Sequence, residues 1–279
     1  MENNREKAIA EVEKDIYRRE ISLDTSNEVA MANQMIMYSA SNLTLDEVKL
    51  LRFIIMQTKK GDQELYELEL SAKNLAKVLD IKPKDLYKRL KTMTKHILAE
   101  VIEIEDKKAK KCAQFHWVDD CEYDNGIIKI KIAEKLKPFL IRLRGDFTRY
   151  ELSEIIGLNS IYAIRIYEVI RRYMDDNDLP YADHSTEISI SMEVLRKITN
   201  TEKKFERYSN FKTKVIDVAV REINRCSKYH VTAEPYKSGR AIVGFDFGVE
   251  SQAGYAMRQQ AADTDEIEGQ MELDLQGMA

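Results

Sequence analysis

Cysteine is scarce. The 279 residues contain three, Cys112, Cys121 and Cys226, with no Cys-x-x-Cys pair. That excludes a disulfide frame and a zinc ribbon, and it predicts reduced thiols in a cytoplasmic protein. Four prolines and ten glycines exclude collagen-like and Pro-rich disordered character. The apolar run Phe53-Ile54-Ile55-Met56 is too short to span a bilayer. No basic start leads into an apolar stretch, so no secretory leader and no membrane partner are expected. His96, His116, His184 and His230 lie far apart with no His-x-His pair. A nicking enzyme that works through tyrosine and a metal needs clustered ligands, and this set does not supply them. Asp119-Asp120 reads as a strand end. No GxxxxGKS/T pattern occurs, which excludes the common phosphate loop of ATPases. The expectation is a protein that is no enzyme and needs no cofactor or metal.

Apolar residues make up 44% of the chain, enough for ordinary cores, and the length fits roughly two domains. The net charge of −4 seems wrong for a partner of nucleic acid, but its distribution matters more. Asp263, Asp265, Glu266, Glu268, Glu272 and Asp274 crowd a tail in which Arg258 is the one base after Ser251. From Ile81 to Lys95, Lys82, Lys84, Lys88, Arg89, Lys91 and Lys95 face only Asp85. From Lys203 to Arg225, Lys203, Lys204, Arg207, Lys212, Lys214, Arg221 and Arg225 outnumber Glu206, Asp217 and Glu222.

Hydrophobic periodicity shows an internal duplication. Thr44 and Glu47 form a capping-box pattern ahead of a helix reaching about Lys59. Tyr66, Leu68 and Leu70 then alternate as a strand. A short helix holds Leu75, Val78 and Leu79, Asp80-Ile81-Lys82 makes a turn, and Pro83 opens a second helix. That helix carries the seam Leu86, Leu90, Met93, Ile97. A hairpin over Val101–Val118 follows, with Lys107, Lys108, Lys110 and Lys111 at its tip. Asp124-Asn125-Gly126 turns into an extra strand, Ile127–Ile132. A helix from about Ala133 to Arg142, an extended piece Phe147–Tyr150 and a helix Ser160–Met174 make a link. The order then returns. Ile188 and Ile190 mark a strand, Met192–Ile198 a helix, and Thr199-Asn200-Thr201 a turn. A long helix buries Phe211, Val215, Val218, Ala219 and Ile223. His230–Tyr236 and Ala241–Phe247 form a hairpin tipped by Lys237-Ser238-Gly239-Arg240.

Strand, helix, turn, helix and basic hairpin, twice over, is a pattern for gripping a duplex. A helix that is apolar on one side and rich in donors on the other fits the major groove, and a hairpin tip reaches the adjacent backbone. Lys84, Lys88, Arg89 and Lys91 are the candidates on the first helix. Ser209, Asn210, Lys212, Thr213 and Lys214 lie near the N-terminal half of the second, with Arg207 and Arg221 better spaced for phosphates. The fold class expected is α+β, two tandem winged-helix domains. The expected division is 1–25 a charged arm, 26–145 the first domain, 146–250 the second and 251–279 an acidic disordered tail.

The chain also resembles the initiator proteins of theta-replicating plasmids. The matching pieces are Asn42-Leu43-Thr44 with Glu47, Phe115-x-Trp117, Phe147-Thr148-x-Tyr150, and Ser160-x-Tyr162-Ala163-x-Arg165-x-Tyr167-Glu168. In the second half they are Tyr208-x-x-Phe211-Lys212, Glu222-Ile223-Asn224 and Lys237-x-Gly239-Arg240. The resemblance covers about Ala32 to Glu250. It implies binding to repeated double-stranded origin sites, opening of the origin and recruitment of host replication proteins such as an initiator, helicase or sliding clamp. It also implies a monomer–dimer equilibrium, with dimers repressing the initiator's own promoter through a first-domain interface. Carry-over is strongest at Asn210, Lys212, Thr213, Lys214 and Arg240. The alternative is a dimeric winged-helix transcription regulator with no replication function. In the tail, Gln270, Leu273 and Leu275 resemble a clamp-docking peptide, set against a plain solubilising tail.

Overall fold

The structure, a computed structural model, describes residues 18–19, 21–38, 42–106, 110–174 and 185–261. It opens with β1 (Arg18–Arg19), β2 (Glu28–Ala32) and α1 (Asn33–Tyr38). Helix α2 (Leu45–Met56) starts at the capping box read from sequence: the Glu47 N–H donates to Thr44 Oγ1 and the Thr44 N–H to Glu47 Oε2, at 3.4 and 2.8 Å. Every residue from Val48 to Met56 is buried, which makes α2 the central rod of the first unit. Full burial of one large aliphatic side chain is worth roughly 1.5–3 kcal/mol, so this helix is held by packing.

Next come β3 (Glu67–Ser71), α3 (Ala72–Val78), a 3₁₀ turn at Pro83–Asp85 and α4 (Leu86–Ala99). Leu90, Met93 and Ile97 of α4 are buried, as their spacing predicts. Two hairpins follow, β4 (Val101–Asp106) with β5 (Lys111–His116), then β6 (Val118–Asp124) with β7 (Ile127–Ile132). The sheet order β1-β3-β7-β6 corrects the sequence reading. Strand β3 pairs with β7, Ser71 opposite Ile127, and β4–β5 stands apart as its own two-stranded sheet. The hairpin that completes the first helix-turn-helix is therefore β6–β7, and the Lys-rich one is an insertion. Local pattern could not separate them, because membership is decided by long-range pairing with β3.

The predicted helix over 133–142 is shorter: a 3₁₀ turn at Glu134–Leu136 and a single turn, α5 (Lys137–Leu140), with Pro near its start. The boundary expected at 145/146 falls between two paired strands. β8 (Phe147–Glu151) runs antiparallel to β2, Phe147 opposite Ala32, so it lies in a sheet with the first unit. After α6 (Ser153–Ile156) comes α7 (Ile161–Tyr173), buried from Ala163 through Arg171. Burial all round marks a helix with neighbours on every side. On one side Arg52 of α2 holds Glu168 in a fork, Nε–Oε1 2.5 Å and Nη2–Oε2 3.1 Å. On the other, Arg171 Nη1 donates to Tyr229 Oη at 2.9 Å and Arg225 Nη2 to the Gly157 carbonyl at 2.9 Å.

The second unit is β9 (Ser185–Ser191), α8 (Met192–Ile198), a long helix α9, β10 (Tyr229–Ser238) and β11 (Ala241–Ser251). Its sheet order is β10-β11-β9. Helix α9 joins Tyr208–Phe211, a π turn at Lys212–Ile216, and Asp217–Cys226. A last helix, α10, covers residues 252–261. From the end of the strand through the first helix and the turn, the duplication holds residue by residue at one constant offset. Ser71 and Ser191 hold the N-cap positions of the first helices, and the Ser191 hydroxyl accepts from the Val194 N–H; Asp80 and Asn200 both turn left-handed, at φ 52° and 51°. Ile81 donates to the Ala76 carbonyl and Thr201 to that of Arg196, at 2.8 and 2.9 Å.

Candidate nucleic-acid interface

In the second unit, α9 buries Phe211, Val215, Ile216, Ala219 and Ile223. Its opposite face leaves Ser209, Asn210, Thr213, Lys214 and Arg221 exposed, and Arg207 is exposed at the N-cap. The candidates on this helix thus share one surface, except that Lys212 is half-buried. Its Nζ lies 2.7 Å from Asp217 Oδ1, and that hydrogen bond raises the ammonium's pKa. Thr213 donates its hydroxyl to the Ser209 carbonyl at 2.8 Å, so toward a ligand it presents lone pairs. Lys214 Nζ sits 5.6 Å from the centre of the Phe205 ring.

The loop ahead of α9 is ordered by a residue that sequence reading passed over. Arg196 of α8 donates to the carbonyls of Thr201, Lys204 and Phe205 at 3.1, 2.9 and 3.0 Å, and its guanidinium covers the Phe211 ring at 4.6 Å. One side chain thereby fixes where α9 begins. Basic residues at the end of a short helix read as a solvated face, so no local signal pointed to it.

The wing beside α9 is long. β11 meets the end of β9 at Gly244, opposite Ser191, and the hairpin continues past it to Ala241 opposite Ser238. Three further residues at about 3.3 Å each carry the tip roughly 10 Å beyond the sheet. Lys237, Gly239 and Arg240 are exposed there, and Gly239 turns the chain at φ 61°. Gly244 is required at the stem: a Cβ there would strike the Tyr236 ring and the Ile190 carbonyl.

The first unit is built differently. Lys84, Lys88, Arg89 and Lys91 are exposed on or just before α4, but Arg89 is ion-paired to Asp46 of α2. Its wing turns at once, Asp124 opposite Ile127, and the Gly126 carbonyl accepts from Ala72 at 2.8 Å. That wing exposes Asp119, Asp120, Glu122 and Asp124 and no base on β6. The basic tip is elsewhere, on β4–β5, where Lys110 is exposed; Lys107, Lys108 and the side chain of Lys111 lie outside the described residues. So do Gln270, Leu273 and Leu275 of the tail. Two exposed tyrosines also went unnoticed: Tyr87 of α4 and Tyr123 of β6, ring centres 4.9 Å apart, flank Lys88 and Lys91. Among the described residues no group of His, Cys, Asp and Glu is arranged to hold a metal ion, and no helix is long and apolar enough to cross a membrane.

Strand, helix, turn, helix and two-stranded wing in each unit define a tandem winged-helix protein, of mixed α and β structure. Residues 28–171 match the family described as Initiator Replication protein, WH1, and residues 191–249 match Initiator Rep protein, WH2. The chain belongs to this family of initiator replication proteins. Among solved structures it is similar to the Pi initiator protein, crystallised in complex with iteron DNA: TM-score 0.69, 19% identity, 82% of this chain and 99% of that one. It also matches the WH1 domain of the MSBI1.176 replication protein, isolated from a multiple sclerosis patient, at TM-score 0.29 and 18% identity over 38% of this chain and 88% of that one.

Proposed function

We propose that this chain initiates replication of a plasmid by binding repeated sites on duplex DNA at the origin. The observation that carries the reading is the outward face of α9, with Ser209, Asn210, Thr213 and Lys214 exposed beside a basic wing, in a chain of this family. Such a helix supplies donors and acceptors to base edges, and Arg207, Arg221, Lys237 and Arg240 supply cations to phosphates on either side. The Pi initiator, crystallised with iteron DNA, supports the same use of the fold here.

The two units divide the work. The second reads the site; the first adds contacts through Lys84, Lys88 and Lys91 and serves self-association. Monomers open the origin and engage host initiator, helicase or clamp, while dimers repress the initiator's own promoter. In the tail, Gln270 and Leu273 dock on the clamp; unchanged clamp affinity on replacing both with Ala would remove that part.

Footprinting on the DNA flanking the gene is the direct test. Protected repeats spaced by whole helical turns, about 10 bp or multiples, are the expected result. A plasmid carrying the gene and these repeats should then replicate in a host that cannot otherwise maintain it. Binding without replication would leave a transcription regulator of the same fold; no protected repeats would end the DNA reading.

A further inference from the structure

Tyr87 and Tyr123 are large rings left half in water, 54% and 43% exposed, and the duplex reading uses neither. They line the mouth of an open cavity of about 210 Å³ between α4 and the β6–β7 hairpin. Their ring centres, 4.9 Å apart with planes at 60°, make a tilted aromatic wall. The floor is apolar: Leu90 of α4 and Ile128 of β7, both buried.

Thr94 and Cys121, half-buried, add polar atoms without charge. Thr94 Oγ1 donates to the Leu90 carbonyl at 2.9 Å, so toward the cavity it offers lone pairs. Burial pushes the Cys121 thiol up to about 11, which keeps it protonated. Among the described lining residues the charged group is Lys91, exposed on α4, with Lys88 its neighbour one turn back. The acids of β6 do not compete with it. Alternation along the strand sends Cys121 and Tyr123 toward α4 and Glu122 to the other face, opposite Lys129.

A dry apolar cavity of roughly 150 Å³ takes up benzene, so this larger and open one accepts a single or fused ring. An aromatic wall, an apolar floor and one cation at the rim are complementary to a flat ring that carries one negative group. We propose that this cavity binds a small planar aromatic acid, its ring against Tyr87 and Tyr123 and its carboxylate on Lys91. The site lies in the first unit and does not rest on the plasmid reading. Because Lys91 is also a proposed phosphate contact, the test is made without DNA.

The full chain is tested with indole-3-acetate as probe. Acetate at equal ionic strength supplies the charge without the ring, and indole the ring without the charge. Indole-3-acetate should raise Tm by about 3 °C in the wild type and in Lys95→Glu, a change one turn along α4 and outside the cavity. In Lys91→Glu and Tyr87→Ala, both at exposed positions, the rise should fall below about 1 °C. Acetate should shift nothing, and indole less than its acid. The thiols give a second reading in the wild type. The probe should slow alkylation of Cys121 by N-ethylmaleimide about threefold and leave exposed Cys112 unchanged, read by peptide mass. Equal Tm shifts in all four proteins would put the probe elsewhere and overturn the proposal. So would no shift in the wild type, acetate or indole as effective as indole-3-acetate, or Cys121 slowed no more than Cys112.

Discussion

The two wings start from the same frame and end with opposite chemistry. Both hairpins lie against a strand that ends in a serine at the N-cap position of the next helix, Ser71 or Ser191. Beyond that point the second runs on for three residues and ends in Lys237 and Arg240, while the first turns immediately and is acidic along β6. Phosphate attracts one and repels the other. The first unit instead carries its basic turn on an inserted hairpin that, among the described residues, pairs with no other strand. A repeat in topology is thus not a repeat in surface chemistry, and charge at the tip separates the two units where the fold does not.

The comparison breaks most severely at the helix both units share. Glu168→Ala leaves Arg52 buried without the carboxylate in its fork and should cost about 3–5 kcal/mol of stability, read by denaturant titration. Both units should then unfold at lower denaturant; loss confined to the first would show that α7 does not couple them. Burial alone would raise the Glu168 pKa, but Arg52, its hydrogen bonds and Arg165 outweigh that and lower it. A carboxylate depressed in the folded state adds stability above its unfolded pKa, and this is lost as pH falls through the folded value. Wild type should therefore lose stability steeply below the ordinary carboxylate range. Glu168→Gln should lose less over the same acid window.

Gly244→Ala comes next. The clash with Tyr236 and Ile190 should cost about 1–3 kcal/mol and displace the second wing, with a drop in Tm and in duplex affinity together. Arg240→Ala should leave Tm unchanged and weaken binding about tenfold, with a salt slope lower by about 1. Asp124→Lys gives the first wing a base. If that wing lies away from DNA, as its charge argues, affinity should change by less than twofold, a shift of about 0.4 kcal/mol. A tenfold gain would bring it onto the backbone. The smallest effect is expected from Lys88→Ala, about twofold in affinity. No change would confine the first unit to assembly.

Much of the fold could be read from local pattern. The capping box at Thr44, the seam Leu90-Met93-Ile97 and the alternation of Phe245 and Phe247 each follow from short-range rules. The wing of the first unit could not, because two hairpins in a row look alike until β3 chooses its partner. The exposed face of α9, with Ser209, Asn210, Thr213 and Lys214, was legible from amphipathic spacing. Arg52–Glu168 was not: the partners are 116 residues apart, and a charge in an apolar helix reads as solvated until its burial is seen. Lys212 was legible as basic but not as tied to Asp217, since the π turn changes which side chains meet.

That π turn has a consequence for how this helix can change over time. One extra residue in a helix advances the angular phase by about 100° for everything downstream. In α9 the step falls between the exposed stretch that holds Ser209 and Asn210 and the C-terminal half locked against the link by Arg225. Phe211, Val215 and Ile216 on one side and Ala219 and Ile223 on the other are all buried, so both halves are anchored and one more or one fewer residue there would turn an apolar face outward. The outward face of the helix can therefore vary in sequence, while its length at this step cannot change without repacking the core.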